Sequence, residues 1–394
     1  MRFNQFELDP RLEAGIDKAG YLEPTPIQKE VISLAMSGRD LIGTAQTGTG
    51  KTAAFLLPIL HKVLSDRQKC VTVLIVTPTR ELAEQIKQHI DILQYKTGIR
   101  SVTVYGGVNA GLQIKALRRG VDIIVACPGR LLDLMSQGYV KLERVNVLVL
   151  DEADRMLDMG FLPDIKRIIS ALPAARQTML FSATFPREIE DLAKKVLRNP
   201  SRVSIGLSRP AHTVSHALFP VAQHLKRKLL LKVLEHTDTN SVLIFTRTKY
   251  RAKSLAKNLS RKNYTVTSIH GNRSQPQRQA ALQGFKDGTY HIMVATDIAA
   301  RGLDVEKISH VINFDIPASA DDYIHRIGRT GRAERSGDAF TLTTPDDEEM
   351  IAKLEKIIGG KIARRKFADF DYASPKPRPN PPPGKSGRKV RVRA

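Results

Sequence analysis

The sequence contains no tryptophan, only two cysteines, and aromatic residues at 6% of its 394 positions. A protein that holds single strands by stacking bases on a row of aromatic side chains is therefore not expected. Cys70 and Cys127 stand far apart and belong to no C-x-x-C pair, so neither a disulfide framework nor a zinc site is suggested. A reducing cytoplasm is the simplest setting. No apolar run approaches the ~18 residues of a membrane-spanning helix, and the opening MRFNQFELDP lacks the apolar stretch of a secretory signal. Acidic residues are also short: 40 Asp plus Glu face 62 Lys plus Arg, leaving a net charge of +22. That excess points to a polyanionic partner such as nucleic acid or an anionic membrane, of which the membrane is disfavoured.

A chain of this length exceeds one ordinary core, and two lobes are expected. The charge is uneven. From Lys361 to Ala394 there are eleven Lys or Arg and two Asp, so +9 of the total sits in the last 34 residues. Six prolines fall in SPKPRPNPPPGKSG, which offers little to bury, and residues 361–394 are expected to form a disordered basic tail.

Short β-branched runs alternate with helical patterns elsewhere. Before residue 200 they are DLIGTA, VTVLIVTP, SVTVYGG, VDIIVACP, VNVLVLD and QTMLFSAT; after residue 213 come VSHALFPV, SVLIFTRT, TVTSIHG, HIMVATD, HVINFDI and GDAFTLTT. Runs this apolar and this short suit central strands of parallel sheets covered on both faces. Leu82, Ile86, Ile90 and Leu93 lie at helical spacing, as a crossover helix requires. The expected organisation is α/β: one lobe over 1–205, a hinge over 206–213 where Gly206 and Pro210 interrupt both periods, and a second lobe over 214–360. The hinge would leave a cleft between the lobes, and ligands of such sheets bind beyond the carboxyl ends of the strands.

The run VNVLVLDEAD poses a question, because an apolar strand leads straight into Asp151, Glu152 and Asp154. Clustered carboxylates near a core need a compensating positive charge. A second motif supplies a candidate. AQTGTGKT, residues 45 to 52, follows a strand and opens a helix, and differs from the strict phosphate-binding loop only in Ala45 for Gly. Gln46, Thr47, Gly48, Thr49 and Gly50 would cradle phosphates, with Lys51 meeting the β and γ phosphates and Thr52 the Mg²⁺. The positive partner is then Mg²⁺ on a nucleoside triphosphate, held through water by Asp151. Glu152 is the candidate general base for an attacking water.

DEAD itself, together with AQTGTGKT, PTRELA, FSAT, ATDIAARGLD and HRIGRTGR in this order, resembles the DEAD-box ATP-dependent RNA helicases over residues 1 to 345, in detail most like the bacterial RhlE-type subgroup. The resemblance implies two tandem RecA-like lobes, an ATPase stimulated by RNA, and ATP with Mg²⁺ as ligands. It implies that Gln28 reads the adenine edge and Tyr21 stacks on the base. Phe3 matches an upstream aromatic of the family, although packing of an N-terminal segment is the more economical role. Arg329 and Arg332 match arginine fingers that reach the γ phosphate on closure. Asp304 matches a ribose contact, and Gly302 lets the backbone approach phosphate. Ser182 and Thr184 match the motif coupling ATP to strand separation, through hydrogen bonds to Asp154 and His325.

Candidate RNA contacts are Thr79, Arg80, Gly106, Gly107, Gly129 and Arg130 in the first lobe, and Thr246, Arg247, Gln275, Arg278 and Thr296 in the second. Hydroxyls, arginines and glycine N–H groups suit the sugar-phosphate backbone and predict little sequence preference. Cys127 stands where the family usually has Thr, and a thiol is a weaker hydrogen-bonding group. The expected activity is ATP-driven local unwinding and remodelling of RNA. An ATP-gated RNA clamp or annealing chaperone uses the same motifs, and a DNA motor is a further alternative.

Overall fold

The computed structural model describes residues 2–44, 49–68, 70–204, 214–300, 305, 308–330 and 337–376. Successive side chains of a strand face opposite sides of its sheet, so a strand that is apolar throughout needs cover on both. The fold supplies it. In the first lobe, strands β1 (Leu41–Thr44), β2 (Val73–Val76), β3 (Ser101–Val104), β4 (Ile123–Ala126), β5 (Val147–Leu150), β6 (Gln177–Ser182) and β7 (Ser201–Ser204) form one parallel sheet in the order β3-β4-β2-β5-β6-β1-β7. Along β5, Val147 and Val149 join one apolar cluster while Leu148 and Leu150 join another on the opposite face.

In the second lobe, strands β8 (Val214–Pro220), β9 (Val242–Phe245), β10 (Val266–Ile269), β11 (Ile292–Ala295), β12 (His310–Asn313), β13 (Gly337–Thr343) and β14 (Ala363–Arg364) pair in the order β10-β11-β9-β12-β13-β8-β14. The second order is the first with seven added to each number, so one topology occurs twice. All twelve apolar runs of the sequence are strands. β7 and β14 were not expected. Both lie at sheet edges, where one neighbour suffices, and each is mostly exposed, with Val203 the single buried residue of β7.

The helix Arg80–Leu93 buries Leu82, Ile86, Ile90 and Leu93, as their spacing requires. Before β1, Phe3, Phe6 and Leu12 pack into the same cluster as β5's valines, so Phe3 serves as a packing residue.

The start of the basic tail departs from expectation. Residues 361 to 376 are folded onto the second lobe: β14 pairs with β8, and the Phe367 ring stacks on Phe219 at 5.6 Å and 16°. Lys232 pairs with Asp369 at 2.6 Å, and His224 Nε2 lies 2.7 Å from the Ser374 carbonyl oxygen. Charge and proline dominated the sequence reading, whereas Phe367, Phe370 and Tyr372, which pack on the second-lobe core, set the outcome. Residues 377–394 and the expected hinge at 206–213 lie outside the described residues.

Candidate active site and nucleic-acid face

The helix Lys51–Ser65 begins directly after Gly50, whose φ of +94° favours glycine. A Cβ there would also lie 2.5 Å from Gln28 Nε2. Gln28 is the third residue of the helix Pro26–Met36, and its Oε1 accepts from the Thr25 N–H at 2.9 Å as half of a capping box. Its Nε2 donates to the Gly50 carbonyl at 3.2 Å, and Thr25 Oγ1 donates to the Thr49 carbonyl at 2.9 Å. Gln28 therefore grips the end of the phosphate loop here, a role beside the base-reading one that the sequence suggested. Tyr21 lies against Phe3, ring centroids 5.8 Å apart and planes 23° from parallel.

Beyond β5, Asp151, Glu152 and Asp154 are all buried, at 3%, 4% and 5% exposure. Each is managed differently. Burial above all raises the Asp151 carboxyl well above the usual range; Lys51 opposes this and Glu152 adds to it. A dication would relieve that cost. Thr52 and Asp151 offer one hydroxyl and one carboxylate, a donor set suited to a Mg²⁺ that keeps its waters and phosphate ligands. Among the described residues no group of three His, Cys, Asp or Glu could form an all-protein metal cage.

Glu152 adopts left-handed backbone angles, φ 54° and ψ 52°, uncommon for a residue with a side chain. Its carboxylate accepts from Arg155 Nη1 at 2.6 Å, an ion pair in which the two side chains are 6% and 3% exposed. Asp154 faces the SAT loop after β6. It accepts from the N–H groups of Ala183 and Thr184 at 3.2 and 2.9 Å and from Thr184 Oγ1 at 3.2 Å. In return its own N–H donates to Ser182 Oγ at 3.1 Å.

The second lobe closes over this cluster. Lys51, Glu152, Asp154, Arg155 and Ala183 line one small cavity together with Ile324, His325 and Gly328, which belong to or follow the helix Ala320–Ile327. His325 is held below its ordinary pKa, first by burial and then by Arg155. An adjoining cavity brings Arg329 and Arg155 together with Asp297 and His325. Arg329 is buried and its Nε donates to the His325 carbonyl at 3.3 Å.

The proposed RNA residues divide into two groups. Thr79 caps the helix Arg80–Leu93, accepting from the Leu82 N–H at 3.2 Å, and the Arg80 guanidinium lies so close over Gly107 that a Cβ there would overlap it. Gly129 faces open space, Arg130 pairs with Asp133 at 3.3 Å, and Arg247 is exposed beside the buried Thr246. Thr296, after β11, is partly exposed. Gln275 and Arg278 behave otherwise: both turn to the first lobe, donating to Glu81 Oε1 at 3.2 and 3.0 Å. In this structure they join the lobes, a role beside the RNA contact that the sequence suggested. Cys127 makes no side-chain cap to the helix it precedes, and burial pushes its thiol up to about 12.

A DEAD/DEAH box helicase family model matches residues 25–192, and a helicase conserved C-terminal domain model matches residues 225–334. The DEAD-box ATP-dependent RNA helicase CshA of Bacillus licheniformis is 40% identical over 94% of this chain and 76% of its own length. The chain belongs to the DEAD-box RNA helicase family. The helicase RhpA of Helicobacter pylori is likewise 40% identical, over 91% of this chain and 73% of its own. Among solved structures, the chain is similar to S. cerevisiae Dbp5 bound to RNA and ADP BeF3, with a TM-score of 0.83, 29% identity, and coverage of 92% and 95%. It is also similar to Mss116p bound to ssRNA and AMP-PNP, with a TM-score of 0.82, 27% identity, and coverage of 93% and 79%.

Within this helicase, Gln46, Thr47, Gly48, Gly302, Asp304 and Arg332 lie outside the described residues. Three functional side chains escaped the sequence reading. Arg155, next to the DEAD motif, is the buried counterion of Glu152. Glu81 reads as the second residue of a helix but is the first-lobe anchor of the interlobe contact. Arg326 reads as one more arginine of HRIGRTGR, yet it holds Asp297 through two bonds of 2.5 and 2.7 Å and donates to Asn313 Oδ1 at 2.9 Å, tying together the ends of β11 and β12.

Proposed function

We propose that this helicase hydrolyses ATP in the cleft between its lobes and uses closure and reopening to bind, remodel and locally unwind RNA with little sequence preference. The observation that carries this reading is the cavity in which Lys51, Glu152 and Asp154 of one lobe meet His325 and Gly328 of the other. Lys51 would hold phosphate and Glu152 would take a proton from water, with Arg155 fixing its carboxylate. Mg²⁺, held by Thr52 and Asp151, would supply charge neutralisation at the phosphates. Arg329 and Arg332 would complete the site from the second lobe, so that hydrolysis depends on closure.

The same reading gives RNA-backbone contacts to Thr79, Arg80, Gly106, Gly107, Gly129, Arg130, Thr246, Arg247, Gln275, Arg278 and Thr296, and base recognition to Tyr21 and Gln28. The resemblance to the RhlE-type subgroup and a cytoplasmic location belong to this proposal as well. The test is ATP turnover with single-stranded RNA against DNA of the same sequence, with separation of a short duplex in parallel. RNA-selective stimulation and catalytic strand separation are expected. Stimulation by DNA would favour a DNA motor, and strand capture only at protein excess would favour a clamp.

A further inference from the structure

The helix Lys249–Ser260 follows Thr246 and Arg247 at the end of β9, and its outer face is unusual. From 249 to 263 the chain carries Lys249, Arg251, Lys253, Lys257, Arg261 and Lys262 and no acidic residue. Lys249, Lys253 and Lys257 recur every fourth position, so they form one stripe with neighbours ~6 Å apart along the axis. Like charges at this spacing destabilise a helix, and cations in the first turn oppose its dipole. Here no acid in the first turn compensates. The adjacent helix Lys226–Glu235 repeats the pattern, with Lys226, Arg227 and Lys228 in its first turn and no acid there. Lys226 is turned inward, onto the Phe314 carbonyl at 3.2 Å, and Arg251 pairs with Asp315. Arg227, Lys228, Lys249, Lys253 and Lys257 remain exposed. Arg227 joins the two helices through a 3.2 Å bond to Ser254 Oγ.

One aromatic ring completes the surface. Tyr250 is 70% exposed, with Lys249 Nζ 5.4 Å from its ring centroid. A large ring left in water beside a row of cations is the pair of features that holds unpaired nucleotides: phosphates on the lysines, a base on the ring. The patch adjoins the exposed Arg247, two residues before Lys249. We infer that this outer face carries the single-stranded RNA that extends beyond the segment held between the lobes, one base stacking on Tyr250 and successive phosphates following the lysine stripe. This surface rests on the RNA reading of the cleft and lengthens its footprint, with a single stacking ring and not the row of aromatic side chains that the composition disfavours.

The experiment compares two oligouridylates on the full chain: one short enough to occupy only the cleft, and one several times longer. Tyr250→Ala and the combined Lys249→Gln, Lys253→Gln, Lys257→Gln variant are assayed for affinity and ATP stimulation across a salt series. For the long RNA, Tyr250→Ala is expected to lose about tenfold in affinity, the order given by one base–aromatic stack. The triple variant is expected to flatten the salt slope by about 2, at ~0.7 per phosphate. Tyr250→Phe should retain the parent affinity. Short-RNA affinity and stimulation should be unchanged. Equal losses on both RNAs would place these residues in the cleft path and overturn the inference. Unchanged long-RNA affinity would also overturn it and leave the patch to another polyanion, such as an acidic protein segment. Failure of both RNAs to stimulate the parent would sink the RNA reading itself.

Discussion

Arg278 of the second lobe reaches across the cleft to Glu81 of the first, Nη2 to Oε1 at 3.0 Å, with side-chain exposures of 14% and 4%. Gln275 shares the same oxygen at 3.2 Å. A pair this desolvated is costly to break one partner at a time, at several kcal/mol in the buried limit and less at partial exposure. Glu81→Gln should therefore weaken ATP-dependent RNA binding, by about 1 to 3 kcal/mol. A double-mutant cycle with Arg278→Ala should show coupling, measured as RNA affinity in the presence of a non-hydrolysable nucleotide. Additive losses would assign Arg278 to RNA instead.

Glu152→Gln should preserve ATP and RNA binding while turnover falls by ~10² or more, the usual contribution of a general base. Turnover within tenfold of the parent would remove Glu152 from the chemistry. Arg155→Met should also lower turnover, because it leaves Glu152 buried without its counterion. Each substitution removes one partner of the buried pair, so both should also lower thermal stability, which differential scanning would register.

Arg329→Ala should depress single-turnover hydrolysis by ~10³ or more while ATP affinity of the full chain falls far less. A loss of ATP affinity in the full chain with an unchanged single-turnover rate would show that Arg329 acts in binding alone.

His325 is faced by Arg155 and Arg329, which hold its pKa down along with burial, and by Asp154 and Glu152, which oppose them. Once the lobes part and water reaches it, the imidazole regains its ordinary value of 6.5. The closed form then binds fewer protons than the open one. Its His325 contribution is complete above that value and declines as pH falls below it, by at most about tenfold per pH unit. Nucleotide-dependent RNA affinity should show this acid decline, and His325→Asn should flatten it. An unaltered profile in the variant would assign the decline to other groups.

Truncation after residue 360 should destabilise the second lobe, whereas truncation after residue 376 should not. The shorter chain loses β14 and the Phe367 ring that stacks on Phe219. Phe367→Ala alone should cost about 1 to 3 kcal/mol, below the full value for a buried aromatic because the ring is only partly covered. Urea unfolding of the three chains would measure it; equal midpoints for the two truncations would mean that residues 361–376 add nothing to the lobe.

The fold was readable wherever burial had written a one-dimensional signature. Strands such as β2, β4 and β5 announce themselves because both of their faces are covered, while SRVS in β7 and the two residues of β14 have no apolar run to show. That Lys51, Glu152 and Asp154 come together in one cavity was foreshadowed for a different reason: each sits in a short recognisable motif, AQTGTGKT or DEAD. Partners separated in sequence were not. Nothing local shows that Glu81 meets Gln275 and Arg278, since their meeting depends on how two lobes come together. Arg155 hid in plain view, because an Arg three residues after a Glu usually marks an exposed turn.

Asp154 accepts from Arg155 N–H through one oxygen, and from Ala183 N–H, Thr184 N–H and Thr184 Oγ1 through the other. A carboxylate gripped by this many donors from two segments has no half-released geometry: sliding the loop by an ångström breaks several bonds together and leaves charge uncovered in a dry place. Motion between the DEAD helix and the loop after β6 is therefore threshold-like, either fully engaged or fully let go, and whatever mechanical signal crosses this junction is delivered as a step, not in proportion to the push.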